Sequence, residues 1–575
     1  MDSTRQTARQ TRLKDLPAPQ QRVIRAWCVY DWANSAFATS GVAAIFPVYF
    51  VFLFKETLGE SATFLGITFT GSSTWSLGVA ISTAIVAVTS PVLGVISDRI
   101  PIKKTLLWIY TTVGSLFTVL AFFSAYTSQP WMWLFGMFIL ANIGFAGSLV
   151  FYNSFLPHLG PARMLDDISS RGFAYGYAGG GLLLLMHLAL ILVTRDTDFA
   201  DVATRFAIAS VGVWWFGWAI WTLRVMPEPP IQRRVFGLTA FSALALSFRE
   251  LGQTFREIRR FRVMLIYLVA YLLFNDGLQT VLSIAGAFAA DTLGIALAFN
   301  MATIAIIQFV AVPGALAFGW LADRISTKPA LIVSLIAWIV IVLFGVAIVP
   351  LSPQEHSDFD FQLSYRQASG DYVIDVAPDL PDEGLELQGR GESWVLSQGA
   401  VLKPRAVMNL PEAVGDAREF GYSLSIRGGD MDNRSAVGHA HPSVLGRGPI
   451  DRWPSIVRAY LWEPLGLDAG YQWLLLGVLV GMVIGGSQAL ARSLFAQITP
   501  ESRSGEFFSF FGFMSRASSV FGPMLYIAAT AVFDTRVAVT SILMIIIAGT
   551  VVLTRVNVAQ GIRAAVRNER RTFRT

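Results

Sequence analysis

Apolar residues fall in blocks of about twenty along most of the chain, separated by short polar breaks, with one longer polar stretch at 351–470. Each block can cross a hydrocarbon core about 30 Å thick at about 1.5 Å rise per residue. Lipid offers no hydrogen bonds to a bare backbone, so the blocks read as helices, and the period-two alternation of a membrane barrel is absent from them. Twelve spans are predicted. Six lie near 26–54, 75–97, 105–126, 131–154, 171–194 and 204–225. Six more lie near 263–288, 294–321, 329–350, 472–496, 506–532 and 536–555.

Composition agrees. Charged residues are 14% of the chain, against about 25% in ordinary soluble domains. The net charge of +5 reflects loop bias more than nucleic-acid binding. The leading tail, the loops 98–104 and 323–328, the 226–262 segment and the last residues are basic, whereas the opposite loops 56–73, 127–130, 195–203 and 289–293 are not. The positive-inside rule with an even span count puts both termini in the cytoplasm, in a bacterial inner (plasma) membrane. Residues 1–25 show no cleavable signal pattern and read as a cytoplasmic tail. The single cysteine, Cys28, excludes disulfides within the chain and cysteine-based metal sites.

The organisation follows. Residues 26–225 form an N-terminal six-helix bundle. Residues 226–262 form a cytoplasmic linker in which Phe241, Leu244, Phe248, Leu251, Phe255 and Ile258 make an amphipathic stripe. Residues 263–350 and 471–556 supply helices 7–9 and 10–12 of a C-terminal bundle, and 557–575 a basic cytoplasmic tail. The insert at 351–470 falls on the outer side, with eighteen acidic and ten basic residues. Its SWVLSQGAVLKPRAVMNL and EFGYSLSIRG read as short strands of a small β-rich domain; the alternative is a disordered acidic loop. Asn433-Arg434-Ser435 is a glycosylation triplet, meaningful only in a eukaryotic secretory route.

The halves repeat. Gly94–Lys104 reads GVISDRIPIKK and Gly319–Lys328 reads GWLADRISTK, each after the second span of its half. Asp31, Asn34 and Ser35 in span one match Asp276, Gln279 and Thr280 in span seven: acid, amide at +3, hydroxyl at +4. Tyr152-Asn153-Ser154 in span four falls opposite Ala491-Arg492-Ser493 in span ten. One duplication and one insertion account for the spacings. The Asp-Arg loop resembles the signature between helices two and three of the major facilitator superfamily. YDWANSAFAT, VFYNSFLP, SSRGFAYGYAGG, FNDGLQTVLSIAG and GGSQALARSLFAQITP with EFFSFFGFMSRASSVFGP are similar to the autophagy-related vacuolar amino-acid effluxers and their bacterial relatives. The resemblance covers the membrane part and not the insert. It implies an all-α membrane protein, twelve helices in two bundles around a central cavity, a monomer, and amino-acid export.

Charge inside lipid costs about 2.5–3.5 kcal/mol on insertion scales, so each such residue asks for a reason. Asp276, near mid-bilayer, either accepts a coupling proton or is a structural acid at a helix break beside Gly277. Arg516 either holds a substrate carboxylate or pairs with Asp276. Asp31, Arg171, Arg492 and Glu506 lie nearer the cytoplasmic ends and read as gate or inter-helix pairs. Asp98, Arg99, Asp323 and Arg324, on the two loops, read as a gate that holds the cytoplasmic side closed by capping helix N-termini or pairing with Arg. Asn34, Asn153, Asn275, Gln279 and Gln488 either bind solute or join helices. His187 reads as a packing histidine rather than a proton relay. The stripes Gly172/Gly176/Gly180 and Gly477/Gly481/Gly485 read as close-packing faces. There is no phosphate-loop motif for ATP, and His439 and His441 carry no ligand pattern. The chain therefore reads as a secondary transporter, not an enzyme, with no cofactor, a small-molecule substrate, protons as the coupling ion and no nucleic-acid partner. The other reading is a transporter-fold sensor or scaffold whose insert binds a ligand or partner.

Overall fold

The structure, a computed structural model, describes residues 13, 16–58, 61–64, 67–194, 197–231, 262–287, 293, 295, 297–378, 384–389, 392–418, 420–445, 450–518, 521–530 and 535–572. The amphipathic stripe at 241–258 lies outside them. Among the described residues, eleven helical segments are long and apolar enough to cross a membrane. α1 runs through Ala18–Leu58 with a π-helical stretch at Phe37–Ile45. Then come α2 (Gly71–Arg99), α3 (Lys103–Leu120), α4 (Pro130–Ser154), α5 (Leu165–Thr194) and α6 (Ala200–Val225). The second half begins with α7 (Arg262–Ala287), α8 (Leu297–Ile325) and α9 (Thr327–Val346).

The first span starts at Ala18, earlier than the predicted 26, because the polar start of α1 is helical too. The 56–73 loop holds a hairpin of β1 (Ser61–Phe64) and β2 (Ile67–Thr70).

The polar stretch folds around its own apolar core. β3 (Phe361–Arg366), β4 (Asp371–Val376), β7 (Val401–Leu402), β8 (Ser423–Arg427) and β9 (Ser435–Val437) make one sheet in the order β7-β4-β3-β8-β9, with β3 and β8 parallel. β5 (Leu385–Gln388) and β6 (Ser393–Leu396) form a separate hairpin. KPRAVMNL, expected as strand, is instead the start of α10 (Pro404–Asp416). Proline in the first turn suits a helix start, and Val407, Leu410 and Val414 share one buried face at helical spacing. Phe361, Leu363, Ile374, Trp394, Leu424 and Ile426 complete that core. Trp453 and Trp462 donate their indole N–H groups to the carbonyls of Leu343 and Ala347, tying the base of the insert to the end of α9.

After the insert come α11 (Ala469–Ile498), α12 (Ser504–Ala517), α13 (Phe521–Thr530) and α14 (Thr535–Thr554). The predicted span 506–532 thus appears as two helices, α12 and α13, neither long enough alone to count as a crossing. The C-terminal segment, expected as a tail, contains α15 (Val558–Thr572).

Glycine sets the closest helix approaches. A Cβ on Gly144 would lie 2.3 Å from Gly114 Cα, so α3 and α4 meet backbone to backbone.

In the insert, Asp360 accepts bonds from the Ser423 N–H and hydroxyl, both at 2.7 Å, and lies 3.3 Å from His441 Nε2. Burial pushes its carboxyl up, but the His441 and Ser423 bonds outweigh burial and hold it below the ordinary value of 3.8. A depressed folded value gives stability that is present above 3.8 and lost as pH falls through the folded value. Near-UV circular dichroism melts at neutral and acid pH are expected to show an acid-labile transition whose pH dependence shrinks in Asp360→Asn.

Candidate functional site

A cavity of about 480 Å³ lies between the two halves. α1, α4 and α5 contribute Asp31, Asn34, Asn153 and Tyr177; α7, α8 and α11 contribute Asn275, Gln279, Gln308, Gln488 and Arg492. Phe145, Phe173, Tyr271, Phe274 and Phe511 form the apolar part of its wall. The five amides singled out in the sequence therefore share one chamber. Tyr177 and Gln308 were missed, although an amide inside the apolar run of span eight was a visible signal.

Two amide positions are open. Asn34, only 2% exposed, has no hydrogen-bond partner for its Nδ2 among the described residues, and the same holds for Gln308 Oε1. One donor and one acceptor thus line the cavity unsatisfied, which a polar solute would correct. Gln488 Oε1 accepts from the Tyr177 hydroxyl at 2.9 Å, and Asn275 donates to the Ser518 hydroxyl.

Arg492 ties the halves together beside this chamber. Its Nη1 meets Asp31 Oδ2 at 3.2 Å and Asn153 Oδ1 at 3.3 Å, and its Nε and Nη2 donate to the Ser169 hydroxyl and carbonyl, both at 2.9 Å. The guanidinium carbon lies 4.2 Å from the Phe173 ring centre and 4.8 Å from that of Trp27. Asn153 and Arg492, which occupy equivalent places in the repeat, touch each other across the interface.

Further bonds between the halves lie toward the Asp-Arg loops. Asp98 accepts from the Gly505 and Glu506 N–H groups at the start of α12, both at 2.9 Å, and pairs with Lys103 at 2.9 Å. A carboxylate there satisfies orphan donors and complements the helix dipole. Lys103 and His158 both reach the Ser504 hydroxyl. On the other flank Asp166, at the start of α5, accepts from Ser493, Thr327 and Gln497. Asp166 and Ser169 also escaped the sequence reading, which began span five at 171 and left both in a loop.

The glycine stripe of α5 lies along α1. Added Cβ atoms on Gly172, Gly176 and Gly180 would meet Asp31 Oδ2 at 2.7 Å, Ser35 Oγ at 2.6 Å and Thr39 Oγ1 at 2.7 Å. The Gly477, Gly481 and Gly485 stripe packs on Thr303, Val310 and Ala311 of α8.

Residues 19–354 and 453–566 match the family described as Vacuole effluxer Atg22 like. The chain belongs to that family. Atg22-like relatives include the Uncharacterized MFS-type transporter YxiO of Bacillus subtilis (strain 168), 28% identical over 56% of this chain and 72% of that protein. Autophagy-related protein 22-1 of Aspergillus niger is 24% identical over 53% of this chain and 67% of its own length. Among solved structures, the major facilitator transporter FucP in the outward conformation aligns with TM-score 0.53 at 10% identity, covering 94% of this chain and 99% of that one. The proton:xylose symporter XylE aligns with TM-score 0.51 at 13% identity, covering 94% and 95%. These structural likenesses establish the fold. This Atg22-like chain is an integral, multi-pass membrane transporter with the major facilitator fold.

The other expected residues are placed as follows. Asp276 is buried but does not line the cavity; an added Cβ on Gly522 of α13 would lie 3.1 Å from its Oδ2. The side chain of Arg516 lies outside the described residues. Arg171 pairs with Asp167 on its own helix, and Glu506 with Arg503. Arg324 stacks over Trp320 at 3.8 Å. His187 bridges the hydroxyls of Ser40, in the π-helical stretch of α1, and Ser210 of α6, each at 2.6 Å.

Two outcomes test this geometry. Gly172→Ala is expected to force Asp31 and Arg492 apart and cut solute flux at least tenfold while the protein still inserts, measured in proteoliposomes beside Gly217→Ala, where an added Cβ meets nothing within 4 Å. Asp98→Ala in a Cys28→Ala background is expected to speed labelling of an introduced Ser493→Cys by an impermeant thiol reagent from the loop side several-fold.

Proposed function

We propose that the chain is a secondary active carrier that moves a small polar solute, an amino acid or similar, by alternating access about the 480 Å³ cavity. The observation that carries this reading is the Arg492 bridge. One buried guanidinium bonds Asp31, Asn153 and Ser169 of the first half from the second, on the wall of a chamber with unsatisfied polar groups. In this reading the state described is closed at the Asp98 and Asp166 contacts, and that side is the cytoplasm, with both termini on it, in a bacterial inner membrane. The gate is made of Asp98, Arg99, Asp323, Arg324, Asp31, Arg171, Arg492 and Glu506. Asn34, Asn153, Asn275, Gln279 and Gln488 face the solute, and Arg516 is the candidate partner for a substrate carboxylate. α12 and α13 together are the eleventh of twelve spans, and the insert stands outside.

Proton coupling belongs to the same reading. Asp276 takes the proton, next to Asn275 and one turn from Gln279, both on the cavity wall. The structural likeness to a proton:xylose symporter supports that choice by analogy of fold only.

A second reading rests on the insert, which has its own core and a cleft of about 510 Å³ lined by Gln388, Glu392, Asn409, Glu412 and Asp416. There the chain is a sensor or scaffold that binds a ligand or partner outside. Replacing 351–450 by a short linker, which leaves Trp453, Trp462 and the start of α11 in place, separates the two, since a carrier keeps flux without the outer domain.

The deciding measurement is counterflow of a labelled amino-acid mixture into proteoliposomes. Wild type is expected to exchange. Asp276→Asn is expected to keep exchange and lose accumulation driven by a proton gradient. Absence of exchange from folded wild-type protein removes the amino-acid assignment.

A further inference from the structure

The wall of the C-terminal half carries a second cavity that the transport reading does not use. It is a groove of about 630 Å³ between the start of α7, the end of α14 and the start of α15. One end is polar: Arg262, Arg555, Asn557 and Gln560. The other is apolar: Val263, Ile266, Val551 and Val552. The order along the helices matters. Ile266 lies four residues inside Arg262 on α7, and Val551 lies four residues before Arg555, so these two sit about 6 Å deeper along the helix direction than the arginines, with Val263 and Val552 between. Both helices are membrane spans. The groove therefore runs from the polar boundary of the bilayer into its hydrocarbon edge.

Its polar end carries two cations, and no acid stands among its lining residues. Neither guanidinium has an ion pair or side-chain hydrogen bond among the described residues, and both residues are exposed. Gln560 stands in the first turn of α15, whose N-terminal end adds partial positive charge; Asn557 caps it by accepting from the Gln560 N–H at 3.0 Å. Lys328, just past the second Asp-Arg motif, donates to the carbonyls of Thr554 and Val556 at 2.7 and 2.8 Å. That bond fixes the end of α14 and puts the groove on the gate side.

We propose that this groove binds one anionic phospholipid, its phosphate held by Arg262 and Arg555 and its acyl chain laid on Val263, Ile266, Val551 and Val552. Basic pockets between spans take acidic headgroups by this chemistry, each cation adding to the attraction of the leaflet. The rival occupant within the chain is the 232–261 segment, but it carries six arginines against two glutamates. Like charge argues against its filling a groove rimmed by two more. The bound lipid also touches the gate. α15 returns to the loop before α12, where Glu569 accepts from the Ser502 N–H at 2.9 Å and hydroxyl at 2.8 Å, two residues from Ser504. A lipid seated at the start of α15 braces the helix that holds this loop.

The test is native mass spectrometry of the purified full chain after exposure to phosphatidylglycerol or phosphatidylcholine. Wild type is expected to retain one phosphatidylglycerol, and Arg262→Ala with Arg555→Ala to weaken that retention about 30-fold, about fivefold for each guanidinium. Ile266→Trp, which fills the apolar end and leaves both arginines, is expected to lower it as well. Thermal unfolding of each variant without lipid checks folding, and phosphatidylglycerol is expected to raise the midpoint of wild type only. Equal retention by the double variant overturns the proposal. So does equal protection by glycerol 1-phosphate, which identifies a phosphate site with no lipid requirement. Retention that rises several-fold when 241–258 is replaced by a Gly-Ser linker of equal length overturns it too, by identifying the linker as the occupant.

Discussion

A guanidinium taken out of water must find partners, because an uncompensated buried ion costs several kcal/mol. Arg492 is 4% exposed, and the partners it finds lie in the other half of the protein. That constraint organises the rest of the interface. Asp31 must stand at the right height on α1, Ser169 must turn its carbonyl and hydroxyl inward at the start of α5, and Asn153 must end α4 beside them. The α5 glycines follow from the same need. With any side chain at 172, α5 could not come close enough for Ser169 to reach the guanidinium without displacing Asp31.

The contacts nearer the loops use the same economy at helix ends. Asp98 occupies the exposed donors of α12, so a single carboxylate satisfies two N–H groups and one ammonium. On the opposite flank the bonds described centre on another acid. The acid there is Asp166, on the helix start itself, and the Thr327 hydroxyl that follows the second loop is a donor to it.

The membrane fold was legible because blocks of twenty apolar residues leave the backbone few choices, and the repeat was legible because Asp-Arg loops are polar islands with fixed spacing. The amides of the cavity were legible for a similar reason: each is an expense inside lipid. What sequence could not supply was direction. Asp31 and Asp276 have the same local motif, yet one carboxylate crosses to Arg492 while the other turns toward Gly522. Rotational position on a helix comes from neighbours, not from the motif. The 404–416 helix was misread because its β-branched and apolar residues were taken with the preceding strand, before the three-and-four spacing of Val407, Leu410 and Val414 was weighed. The change from α12 to α13 did have local markers, Ser518-Ser519 and Gly522-Pro523, which the reading of 506–532 as one continuous span passed over.

For the carrier proposed above, the cross-links must also be weak enough to undo. The hydrogen bonds described between the halves lie between Tyr177–Gln488 and the Asp-Arg loops. Tyr177 stands twelve residues past Leu165, about 18 Å along its helix. A net value of about 0.5–1.5 kcal/mol for an ordinary hydrogen bond, more where a charge takes part, gives the whole set a large gross strength. Yet a carrier that cycles needs its closed forms within a few kcal/mol of each other. The two requirements meet only if opening exchanges these bonds for water or for other partners. Polar cross-links permit that exchange, because a released carboxylate or guanidinium at a wetted helix end recovers its hydration. A leucine seam of equal strength would offer no such return. In this fold the smooth glycine faces of α5 and α11 then do the complementary work: they keep each half rigid, so that what breaks is the polar interface and not the packing within a bundle.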